Sequence, residues 1–343
     1  MTHAHIALLI IALLTPWERG RPARISLASP PLQDLRAGRP RSQIGQRSQP
    51  DANKFALIVV GAGGEEQYAK QFEQWTTELK STLSERYGFD TQKLLVVPNA
   101  KAIDVRNTFG QLKSQMDANN VLFVFLIGHG SFDGKESKFN LVGPDLAASE
   151  YDTLLSALPT KRVVVFNMAS ASGEFAKSLS AKGRIVITAT KSGQETNATR
   201  FAGFFIAALK ATDADTDQDG HTSVLETFVY ANRLTADFYA RAGRLATEHA
   251  LLEDNGDGVG REKAEAGEGL LARATYLDSL SIDEAAASAA TGKLLKERTR
   301  LEGEIEQLIA RKRTVPEAEY EAALERLFID LAKVNRSIKQ AGS

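Results

Sequence analysis

Five short apolar runs, separated by stretches of helical spacing, set the architecture open to this chain. They are Phe55 to Val60, Leu94 to Val97, Val121 to Ile127, Arg162 to Phe166 and Arg184 to Thr190. The third is apolar at every position, as a strand is when both faces of its sheet are covered. Helical patterns fill the gaps at about Glu66 to Tyr87, Ala102 to Met116, Ser149 to Leu158 and Gly173 to Leu179, and each connection is long enough for a crossover. The expected fold class is α/β, with a doubly wound, mostly parallel sheet. Ligands of such sheets bind beyond the carboxyl ends of the strands, so the residues that follow each run carry the functional question.

Composition narrows the answer. The chain of 343 residues has a formal net charge of -1, which gives no general attraction to nucleic acid or an anionic membrane, and nucleic-acid binding is not expected. It contains no cysteine. Disulfides, thiolate catalysis and zinc sites built on cysteine are therefore excluded.

After the third run comes Gly128-His129-Gly130-Ser131, and after the fourth comes Asn167-Met168-Ala169-Ser170-Ala171-Ser172-Gly173. A histidine between glycines has room for its imidazole and leaves backbone N–H groups near a ligand. A small-residue turn that enters a helix presents a side chain near the positive helix N-terminus. Together they suit nucleophilic catalysis. The pattern resembles the caspase-like superfamily and, more closely, the legumain family of cysteine peptidases. There a His-Gly follows one strand, an Ala-Cys-x-Ser-Gly follows the next, and the histidine and cysteine form the catalytic dyad. His129-Gly130 matches the first element. Ala169-Ser170-Ala171-Ser172-Gly173 matches the second with Ser170 in the cysteine place. The resemblance runs from about Lys54 to Asp278 and implies a caspase/legumain-type sheet, with the backbone N–H of Gly130 as an oxyanion donor.

The chain departs from this family where chemistry is most demanding. Gly128 stands where legumains usually have an aspartate, and Met168 stands where an acidic residue precedes the cysteine, so the family's asparagine pocket does not carry over. An alcohol is also a poorer nucleophile than a thiol, whose pKa is about 8.5. Serine needs an oriented base, typically backed by a third group, and no third member stands out in the sequence. Three readings follow. The chain is a catalytically impaired pseudopeptidase that binds a protein or peptide, a serine-dependent hydrolase using Ser170 and His129, or a calcium-dependent structural module. Ser172 is the less suitable nucleophile, because the family pattern already has a serine there.

The third reading rests on residues 215–226. Asp215, Asp217, Asp219, His221, Ser223 and Glu226 occupy positions one, three, five, seven, nine and twelve of an EF-hand-like calcium loop, with Gly220 at six. Carboxylates crowded into one turn repel each other without a cation, which makes calcium the expected cofactor. A second acidic stretch, Glu253 to Gly258, would close on Ala264 instead of a glutamate. It reads as a turn or a weak site, and His249 before it reads as a packed side chain. Gly61, Gly63 and Gly64 fail the dinucleotide pattern because Glu66 stands where a glycine is needed.

The ends of the chain complete the expected organisation. Ile6 to Leu14 is a nine-residue apolar run, too short to span a bilayer but suited to a secretory signal. Residues 1–23 are expected to be a signal peptide, 24–53 a linker, and the protein periplasmic or secreted. Residues 54–280 form the peptidase-like domain. In residues 283–340, Leu294, Leu301, Ile305 and Leu308 mark one stripe, and Tyr320, Leu324, Leu327, Leu331, Val334 and Ile338 mark another. Pro316 between them begins a second helix. The expectation is a helical hairpin or coiled coil that either packs on the domain or mediates self-association.

Overall fold

A computed structural model describes residues 53–216, 221–264, 268–277, 289–312 and 315–341. The expected signal peptide, nearly all of the linker, and Asp217, Asp219 and Gly220 lie outside the described residues. The chain forms an α/β fold on a mostly parallel sheet of six strands in the order β2-β1-β3-β7-β8-β9. These are β1 (Lys54–Val60), β2 (Leu94–Val97), β3 (Val121–Ile127), β7 (Arg162–Asn167), β8 (Arg184–Thr188) and β9 (Leu251–Glu253). The first five run parallel, in register from Ala56 beside Leu94 to Asn167 beside Thr188, and β9 joins β8 antiparallel.

Alternate residues of each strand enter opposite cores, as the two-residue period requires. Ile58, Phe123, Phe125 and Phe166 pack against α1 (Glu66–Glu85), α5 (Phe201–Lys210) and α6 (Val224–Arg241). Leu57, Leu122, Val124 and Val165 pack against α2 (Ala102–Gln115), α3 (Ala148–Ser156) and α4 (Glu174–Leu179). Both faces are therefore covered, and all seven residues of β3 are buried. Lys54 is buried as well, and its ammonium donates to the carbonyl oxygens of Tyr87 and Leu277, both at 2.8 Å. A charge at that depth persists only when it is hydrogen-bonded.

A small antiparallel sheet stands at the carboxyl end of the large one. It consists of β4 (Gly130–Phe132), β5 (Ser137–Phe139) and β6 (Leu146–Ala147). Helix α6 starts on a reciprocal cap in which Ser223 Oγ accepts the Glu226 N–H and the Glu226 carboxylate accepts the Ser223 N–H. After α7 (Leu270–Arg273), the tail forms α8 (Ala289–Ala310) and α9 (Glu317–Ala341). Leu301 and Ile305 of α8 meet Leu327 of α9, flanked by Leu308, Leu324, Leu331 and Val334. The two stripes thus face each other. Phe328 and Ile329 are left about half exposed on α9, and the Ile338 side chain lies outside the described residues.

Candidate functional site

The order of the sheet places the end of β3 between the ends of β1 and β7, where two predicted site residues emerge. Ser170 leaves β7 in a buried turn, and Gly130 opens β4 directly above it. The contact is backbone to backbone. A methyl group added at Gly130 would stand 2.3 Å from the Ser170 carbonyl oxygen, so only glycine fits. The Gly130 N–H donates to Ser170 Oγ at 3.1 Å, and the Ser170 hydroxyl donates to the Gly130 carbonyl at 3.2 Å. Ser170 is only 2% exposed.

His129 and Ser170 are brought to neighbouring strand ends but are not coupled. The imidazole of His129 packs edge-on against Tyr68 and Phe72 of α1, with ring centroids 4.8 Å and 5.1 Å away. Burial pushes its pKa below the ordinary histidine value, and a hydrogen bond to the Gly63 backbone and the charge of Glu65 oppose that shift. The ring is therefore mainly neutral at pH 7. Among the described residues no hydrogen bond joins it to Ser170. The serine proton instead faces an amide carbonyl, which orients a hydroxyl but is too weakly basic to take its proton. The N–H expected to serve an oxyanion is occupied by the serine itself.

The turn after Ser170 is tightly held. Ala171 has φ 51°, a left-handed conformation that costs a residue with a side chain about 1–3 kcal/mol. Its N–H donates to the Glu195 carbonyl at 2.7 Å. Thr190 fixes the next two residues, because its Oγ1 accepts the N–H of Ser172 at 2.8 Å and of Gly173 at 3.1 Å. Ser172 Oγ is committed to Thr190 too, accepting its N–H at 3.2 Å, and Ser172 is only 1% exposed. Neither serine has a free hydroxyl.

A second histidine, expected only to pack, lies at the same end of the sheet and is paired with a carboxylate. His249 Nδ1 lies 2.5 Å from Glu195 Oε1, and the His249 N–H donates to Glu195 Oε2 at 3.2 Å. The pair forms because β9 returns antiparallel beside β8, bringing His249 next to the loop that carries Glu195. Nothing local in either segment signals it.

The acidic loop is described only at its ends. Glu226 Oε1 accepts the N–H and hydroxyl of Thr216 at 2.8 Å and 2.9 Å, and Oε2 accepts the N–H and hydroxyl of Ser223 at 2.9 Å and 2.8 Å. His221 packs edge-on against Tyr276 at 5.7 Å. Among the described residues no three His, Asp or Glu side chains converge as a metal-binding group, and two of the expected ligands, Asp217 and Asp219, lie outside them. The second stretch is knitted to protein partners. Asp254 accepts the N–H groups of Gly269 and Ala272, at 2.8 Å and 2.7 Å, and Asp257 pairs with Arg261 at 2.8 Å. No described helix is long and apolar enough to cross a membrane.

No family model matches the chain, and no curated protein matches it. Among solved structures, it is similar to the crystal structure of protein GSU0716 from Geobacter sulfurreducens. The two are 14% identical with a TM-score of 0.41, over 60% of this chain and 95% of that one. A likeness of this size transfers no function.

Proposed function

We propose that this chain is a legumain/caspase-like peptidase-fold protein that has lost catalysis and acts by binding a protein or peptide. The observation that carries the reading is the closed exchange between Ser170 and Gly130. The hydroxyl donates a hydrogen bond to a backbone carbonyl and accepts the N–H that an oxyanion would need. A serine nucleophile requires a base within hydrogen-bond reach, and His129 is instead held among Tyr68, Phe72 and Gly63. What remains is a rigid framework, the buried turn that Thr190 holds beneath the half-buried Gly130, which fixes the strand ends that a recognition surface would use. Export to the periplasm or the outside, and association through the tail helices, belong to the same reading. The test is turnover of a mixed peptide pool. Wild-type protein is expected to release no fragments beyond those of Ser170→Ala, and cleavage lost in that variant would sink the proposal.

Calcium is proposed as a brace of the 215–226 loop. Support comes from the spacing of Asp215, Asp217, Asp219, His221, Ser223 and Glu226, and from the Glu226 carboxylate, which already ties both ends of the loop together. An ion bound only to the folded state stabilises it by mass action, about 2.7 kcal/mol at a hundredfold excess over Kd. Calcium should therefore raise the melting temperature of wild type and leave that of Asp215→Ala unmoved. An equal rise in both proteins would place the ion elsewhere.

A further inference from the structure

A cavity of about 780 Å³ opens between α6, residues 246–250, residues 262–264 and the α8 and α9 pair. Small-molecule sites typically span about 300–1,000 Å³ and are lined mainly by apolar side chains. Here Leu225, Phe228 and Val229 of α6 line it together with Ile305, Phe328 and Leu331 of the tail helices. Val229 and Phe328 keep 48% and 50% of their surface exposed. The site is separate from the His129 and Ser170 rim and does not depend on the reading given to it.

The charges around this cavity decide the sign of its ligand. Its carboxylates are already engaged. Glu226 takes the N–H and hydroxyl groups of Thr216 and Ser223. Glu248, 3% exposed, accepts the N–H groups of Arg200 and Phe201 and the Tyr239 hydroxyl. Glu262 faces Lys191 at 4.0 Å. Two of its three Lys and Arg side chains are less committed. Lys263 is exposed and makes no ion pair among the described residues, and the guanidinium of Arg233 lies over the Tyr230 ring at 4.6 Å without a carboxylate among them. His249 does not add to them, because Glu195 accepts its Nδ1–H and its backbone N–H and Nε2 is left with a lone pair.

We infer that this cavity binds a single-chain amphiphile with an anionic head, a long-chain carboxylate. The hydrocarbon chain lies between α6 and the tail helices, where it is removed from water. The head meets Lys263 and Arg233. Full-length protein titrated calorimetrically with dodecanoate, below the concentration at which it forms micelles, tests this. Saturable binding at one site is expected. Val229→Trp, which fills the cavity, and Lys263→Glu, which reverses the rim charge, should each weaken it about tenfold or more, a loss of about 1.4 kcal/mol. Ile103→Trp, at an exposed apolar position on α2, should leave it unchanged, and dodecanol should bind more weakly than dodecanoate. All the substitutions are at exposed positions, and unchanged melting temperatures would confirm that the variants fold. The inference is overturned by absence of saturable binding, by equal binding of dodecanol, or by affinity that neither cavity substitution alters. It is equally overturned if the protein takes up anionic vesicles but not monomeric dodecanoate, or if sedimentation shows a second copy covering this face.

Discussion

Phe166→Ala is expected to lower the free energy of unfolding by about 3–5 kcal/mol, the range for removing a fully buried aromatic ring. Phe166 has no exposed surface. Its ring stacks on Phe125 at 4.9 Å with planes 5° apart and lies 4.6 Å from Phe205 of α5. Phe125 and Phe166 face each other across the β3 and β7 register, four residues before His129 and four before Ser170 in their respective segments. The stack therefore fixes the two strands whose ends form the candidate site. Replacement by alanine removes the transfer energy of the ring and leaves a cavity that the parallel register cannot easily close. The midpoint of urea unfolding measures the loss. A change below about 1 kcal/mol, well short of the usual cost, would mean that the ring is not packed between β3 and α5.

The next largest effect is expected at Thr190. Thr190→Val keeps the shape of the side chain and removes the oxygen that accepts the N–H groups of Ser172 and Gly173. Thr190, Ser172 and Gly173 are buried, so water does not readily replace the lost acceptor. Each unsatisfied buried donor costs about 1–3 kcal/mol, so the loss of an acceptor shared by two of them sets the expected destabilisation at about 2 kcal/mol or more. Thr190→Ser retains the oxygen and should cost much less. The effect should also be local, with amide hydrogen exchange at Ser172 and Gly173 accelerating in the valine variant before that of β3. If the valine and serine variants unfold alike, the hydroxyl is not the brace described here.

Much of the fold was legible because fully buried parallel strands announce themselves. Runs such as Val121 to Ile127 leave no polar face, and the segments between them repeat at helical spacing. The pieces that escaped are short or depend on distant partners. Strands β4, β5 and β6 have three, three and two residues, too few for any period to register. Strand β9 lies beside the acidic stretch that begins at Glu253, and Lys54 looks like a boundary because the carbonyls that hold its charge belong to Tyr87 and Leu277.

The candidate site was legible in position and not in orientation. Glycines on both sides of His129 and a small-residue turn around Ser170 marked the strand ends. The direction of the imidazole is set by Tyr68 and Phe72, on a helix that precedes it by two strands. No spacing near His129 carries that information. The pairing of Glu195 with His249 escaped for the same reason, since it exists only once β9 has folded back beside β8.

The account depends on Ser170 being a hydroxyl without a base. The most direct measurement is the mass of the protein after incubation with a broad serine-reactive phosphonate, followed by peptide mapping. No adduct on Ser170 is predicted, because the hydroxyl is buried and its proton is held by Gly130. An adduct at Ser170 that disappears in His129→Ala would contradict the account.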